Sequence, residues 1–113
     1  ARRLRQAVAR APFMVAGSGR LDTRLMERLG ERVCCKVGAE GMYCAAFPEA
    51  GLGLALKMDD GNTARAAEVV LAALVARHVR LDDDERRFVE ALADLPLHNW
   101  NGLEVGRLRA VIA

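Results

Sequence analysis

Val33-Cys34-Cys35-Lys36-Val37-Gly38-Ala39-Glu40-Gly41-Met42-Tyr43-Cys44-Ala45-Ala46-Phe47 is the stretch on which the reading of this chain turns. Two β-rich runs flank a glycine-bearing tetrapeptide, so the hydrophobic period here is 2 and the segment predicts a hairpin. Beyond the turn Pro48-Glu49-Ala50-Gly51, Leu52, Leu54, Leu56 and Met58 alternate with Gly53, Ala55 and Lys57. A third strand therefore follows, and residues 33–58 predict an antiparallel meander.

On either side the period returns to about 3.6. Upstream, Leu4, Val8 and Ala11 are helically spaced among arginines, and Pro12 forbids continuation of that helix. The loop Ala16-Gly17-Ser18-Gly19-Arg20 leads to a short helix bearing Leu25, Met26 and Leu29, with Asp22 or Thr23 as its cap and Gly30 at its end. Downstream, Asp59-Asp60-Gly61-Asn62 caps an apolar helix from about Thr63 to His78 that has to pack on the sheet. Leu81-Asp82-Asp83-Asp84-Glu85 opens another, placing Phe88, Leu92 and Leu95 on one face until Pro96 stops it. Residues 103–109 complete the chain as a last strand. The expected class is α+β: strands together in one layer, with flanking helices.

Composition narrows the function. The 113 residues are 52% hydrophobic and 28% charged, enough for one core and far from a disordered tail. A net charge of +2 and five aromatic residues provide neither the field nor the stacking surface for nucleic acid. The longest nearly apolar run, 64–79, is broken by Arg65, Glu68, Arg77 and His78, so no membrane span is expected and the cytoplasm is the default location. Three cysteines without Cys-x-x-Cys spacing, and two distant histidines, predict reduced thiols and no metal or other cofactor.

Chemistry concentrates at Lys36, which interrupts an apolar strand and precedes Gly38 and Gly41. Such a lysine can set an ammonium beside a nucleophile while amides after Gly38 meet a developing oxyanion. It can equally sit on a solvated strand face beside an ordinary turn. Arg20 and Asp22, near Ser18, offer a guanidinium and a carboxylate suited to a small zwitterion, or they simply belong to a connecting loop. Ser18 lacks both the Gly-x-Ser-x-Gly and the Ser-x-x-Lys setting of a nucleophile. Lys57 is expected to pair with Asp59 or Asp60, and Trp100 to anchor the tail.

Four ordered segments carry a resemblance: 13–23, Lys36-Val37-Gly38-Ala39-Glu40-Gly41, 51–57 with Asp60-Gly61-Asn62, and Asn99-Trp100-Asn101-Gly102-Leu103-Glu104-Val105-Gly106. Together they resemble the C-terminal part of the L-asparaginase II family, the bacterial thermolabile or rhizobial type, and the likeness extends over essentially the whole chain. It implies a fold akin to serine β-lactamases and glutaminases. It also implies hydrolysis of L-asparagine to aspartate and ammonia by a lysine-activated serine. Lys36 then matches the lysine of the Lys-Thr-Gly-like strand, with Val37 in place of the hydroxyl residue. Gly38 and Ala39 match backbone positions lining the site, and Arg20 and Asp22 belong to a matching loop. The Ser-x-x-Lys half is not among these residues. The expectation is therefore a single C-terminal segment, 1–113, inactive alone, whose intact parent binds a small amide and which self-associates. A stand-alone interaction module is the alternative.

Overall fold

The computed structural model describes residues 1–112. The meander forms as expected: β1 (Cys34–Val37), β2 (Met42–Phe47) and β3 (Leu52–Lys57) are antiparallel, in the order β1-β2-β3. The register pairs Lys36 with Cys44 and Val37 with Tyr43 on one side of β2, and Cys44 with Ala55 on the other. Strand alternation sends Cys35, Tyr43, Ala45 and Phe47 inward, all buried, and sends Lys36, Cys44 and Ala55 to the opposite, exposed face.

The glycines at the first turn are there for steric reasons. Gly41 has φ +73°, and a Cβ on it would stand 3.0 Å from both the Gly61 carbonyl carbon and Met58 Cβ. Glu40 also takes a positive φ of 58°. The turn is tied to the rest of the sheet by Met58 N–H to the Gly41 carbonyl (3.0 Å) and Gly41 N–H to Thr63 Oγ1 (3.1 Å).

Helices cover the inner face of this sheet. Three come before it: α1 (Arg2–Arg10), α2 (Pro12–Ala16) and α3 (Leu21–Leu29). Two follow: α4 (Glu68–His78), entered through a π turn at Thr63–Ala67, and α5 (Asp83–Ala93). Leu25, Met26 and Leu29 of α3, Leu71 and Val75 of α4, and Val89 of α5 meet Tyr43 and Phe47 in one core. Asn62 caps the π turn by accepting from Arg65 N–H, and Asp82 with Glu85 makes a capping box for α5. Arg32 grips Glu85 with both terminal nitrogens, at 2.5 and 2.9 Å, and so ties the connection before β1 to α5.

Several expectations are corrected. The last helix ends at Ala93, and β4 (Asp94–His98) follows it and pairs with β5 (Glu104–Arg109) in a separate two-stranded sheet. Leu95 therefore belongs to a strand, because the residue before a proline is pushed out of the helical region. The last strand exists but does not join the meander. Trp100 is fully exposed at the β4–β5 turn and anchors nothing among the described residues. Leu4 points outward (74% exposed), whereas Ala9 carries the buried side of α1. Pro12 ends α1 but starts α2 at once, as proline does at a first helical position. Among the described residues no helix is long and apolar enough to cross a membrane.

Candidate functional site

Lys36 is exposed on the bare face of the sheet, in the middle of β1. It lies in an open concavity of about 330 Å³ lined by Ala1, Arg5, Cys34, Cys44 and Ala46 as well as by Lys36 itself. Apart from Arg5, the side chains of these neighbours are small and uncharged. Its Nζ donates to the adjacent Val37 carbonyl at 2.9 Å. Among the described residues no carboxylate lies within ion-pair distance of it, and the lysine is open to an incoming group.

Gly38 and Ala39 follow directly in the exposed turn. The Gly38 N–H donates to the Met42 carbonyl at 2.9 Å and is engaged in the ladder. Ala39 and Glu40 N–H make no hydrogen bond among the described residues, so they are the amides at this turn able to receive an oxygen from outside. The turn is braced from the β3 side, where Lys57 Nζ donates to the Glu40 and Met58 carbonyls. That replaces the ion pair expected for Lys57: Asp60 instead pairs with Arg65 at 2.5 Å.

The loop residues part company. Arg20 is exposed at the start of α3, where its charge is felt by the half-buried Glu68. Asp22, expected to cap the helix or to meet substrate, is turned inward and wholly buried. Its Oδ1 accepts from Tyr43 Oη at 2.7 Å and its Oδ2 from Val37 N–H at 2.8 Å. The α3 N-terminus has no side-chain cap at all. Thr23, also turned inward, donates its hydroxyl to the Gly17 carbonyl at 2.5 Å. The structure thus gathers Lys36, Gly38 and Ala39 at one end of β1, sets Asp22 beneath them, and leaves Arg20 at the rim of α3.

The buried side is electrostatically distinct. Burial, seconded by the bond to Asp22, raises the Tyr43 phenol well above its usual range, and burial likewise raises the Cys35 thiol. Burial also raises the Glu68 carboxyl, against the opposing pull of Arg20. Cys35 is therefore a packed, neutral thiol; Cys44 is the exposed one, directly across from Lys36. Among the described residues no group of three or more His, Cys, Asp or Glu side chains is placed to hold a metal ion.

Tyr43 and Glu68 are the members of this neighbourhood that pattern reading passed over. Tyr43 was legible as an inward strand residue, but its hydroxyl gives no sequence signal of its partner. Residues 1–110 match the family model described as L-asparaginase II. No curated protein matches the chain.

Proposed function

The chain belongs to the L-asparaginase II family, and on that premise we propose that it is the C-terminal segment of an amidohydrolase that converts L-asparagine to L-aspartate and ammonia. The observation that carries this reading is the end of β1: an exposed ammonium at Lys36 with no carboxylate partner among the described residues, followed by a turn whose Ala39 and Glu40 amides are free among the same residues.

Amide hydrolysis through an acyl-enzyme requires a nucleophile, a group to take its proton, and donors for the tetrahedral oxyanion. Lys36 serves in the second role, by holding or moving the proton of an attacking hydroxyl, and Gly38 and Ala39 line the place where the substrate amide lies. Arg20, exposed at the start of α3, is assigned as the cation for the substrate carboxylate. Asp22 acts from below, without touching substrate. The hydroxyl comes from a serine in a Ser-x-x-Lys setting outside these 113 residues, since Ser18 is the only serine here and is followed three residues later by Leu21. The fold of the intact enzyme is of the serine β-lactamase and glutaminase type. Its partner is a small amide, not nucleic acid or a membrane, and its place is the bacterial cytoplasm.

Alone, the chain lacks the nucleophilic serine of this mechanism and should not turn over substrate. The test is ammonia release from asparagine by the purified chain, by the serine-bearing segment, and by their mixture. Activity only in the mixture supports the reading, and activity in the chain alone overturns it.

A further inference from the structure

We propose that Asp22 and Tyr43 are positioning residues for Lys36: together they clamp the strand pair that aims its ammonium. This rests on the reading of Lys36 as the proton-handling group.

The hydrogen-bond parity of β1 shows why a clamp is needed. Gly38 N–H bonds the Met42 carbonyl, so alternate residues of β1, Lys36 among them, turn their backbone groups toward β2. Val37 turns its N–H the other way, toward an edge where no further strand lies. Asp22 Oδ2 fills that position at 2.8 Å and acts as the acceptor a neighbouring strand would have supplied. Its other oxygen holds Tyr43 Oη at 2.7 Å, and Tyr43 is the register partner of Val37. One carboxylate thus grips both members of the Val37–Tyr43 rung, which is adjacent to the Lys36–Cys44 rung.

Register is the quantity at stake. A slip of one residue in β1 would carry Lys36 from the bare face into the core and bring Cys35 or Val37 out. An edge strand of four residues is short, and its face pattern is weak, because the outward neighbours Cys34, Cys44 and Ala46 are themselves apolar. The clamp distinguishes the two registers where hydrophobicity does not. The carboxylate can occupy so buried a place because it accepts two hydrogen bonds and sits in the first turn of α3, beside the positive end of the helix.

The experiment compares Asp22→Ala, Asp22→Asn and Tyr43→Phe in the intact enzyme, with Lys36→Met alongside, and follows the Val37 amide by hydrogen exchange. Tyr43→Phe keeps the ring in the core and so remains informative if Asp22→Ala folds poorly. Asp22→Ala and Tyr43→Phe are expected to lower kcat by roughly tenfold to a hundredfold, the range a small misplacement produces, with little change in KM. Asp22→Asn is expected to recover most of kcat, since its amide can accept from Val37 and donate to Tyr43 Oη. Val37 exchange is expected to quicken in Asp22→Ala and to stay slow in Asp22→Asn. Wild-type kcat in both Asp22→Ala and Tyr43→Phe, while Lys36→Met is inactive, would overturn the clamp and leave the function standing. Unchanged Val37 exchange in Asp22→Ala would overturn it whatever the activity. Full turnover by Lys36→Met removes the function reading, and the clamp's catalytic purpose with it.

Discussion

Lys36 and Asp22 act within one residue of each other along β1 and live in opposite media: the ammonium is in the open and the carboxylate wholly buried. Lysine at that place was legible, because a charge in an alternating apolar run declares which face is wet. Asp22 was not read as buried, because a carboxylate near a helix start is the usual sign of a cap. A signal did exist: Asp22 lies on the same stripe as Leu25, Met26 and Leu29, at spacings of 3, 4 and 7, which is the core face of α3. The bond to Tyr43 has a spectroscopic consequence. Tyr43 is the only tyrosine, and its phenol, raised by burial and then by Asp22, should stay protonated in the folded chain well above its usual value of 10.0. Because folding holds that proton, the associated stability is present below pH 10 and falls as pH rises beyond it. Absorbance at alkaline pH should therefore show tyrosinate appearing together with unfolding, and a separate earlier titration would contradict the burial. Gly41 is the other position where one residue decides. Gly41→Ala meets both a positive φ and backbone at 3.0 Å, and should lose about 1–3 kcal/mol in denaturant unfolding.

Among the elements, the meander was readable because its period of 2 is bounded by turn residues that fit it, and α4 because Asn62 does cap the π turn that leads into it. In the second sheet, β5 was readable as the last strand, expected at 103–109, whereas β4 was not. Phe88 and Leu92 extend a helical period to Leu95 so well that only the backbone restriction imposed by Pro96, not hydrophobic spacing, separates helix from strand. Leu4 misleads for a different reason: α1 docks by Val8 and Ala9, and exposed bonds from Arg10 and Gln6 to Glu31 hold it in an orientation that leaves its largest apolar residue outside. The firmest tie between elements is Arg32 to Glu85, which bonds the guanidinium twice and also accepts from Asp82 N–H. The bond to Arg32, first, and the Asp82 N–H, next, hold the Glu85 carboxyl down at about 2. A depressed folded pKa means stability present above the ordinary value of 4.5 and lost as pH falls from there toward 2. Glu85→Gln should cost about 2 kcal/mol at neutral pH. Its deficit against the parent should shrink across that acid window, as followed by circular dichroism in urea at several pH values. A deficit independent of pH would show that packing, not charge, makes this tie.

Over the molecule as a whole, the buried core lies on one side of the meander and Lys36 on the other, where Ala1 and Arg5 border it. That asymmetry is what the proposed chemistry requires, since a nucleophile must approach from the uncovered side. The covered side should behave as an ordinary core. Leu71→Ala, at a fully buried position of α4, should destabilise by about 2–5 kcal/mol without altering the exposed face. The uncovered side, with the neighbouring edge strand β3 almost free of charge, should promote self-association. Sedimentation equilibrium on the chain is expected to give a mass above 12.3 kDa that rises with concentration, and a constant monomer mass would contradict it. Layering and sheet order follow from local patterning, whereas the choice of bare face could be read only through two lysines, Lys36 on β1 and Lys57 on β3, because Cys44 and Ala55 between them are too small and uncharged to mark a surface. The most direct measurement is the rate of ammonia release from asparagine by the intact enzyme carrying Lys36→Met, with folding checked in parallel. The expected result is a correctly folded protein with turnover abolished; wild-type turnover in that variant would contradict the assignment of Lys36 as the working group of this site.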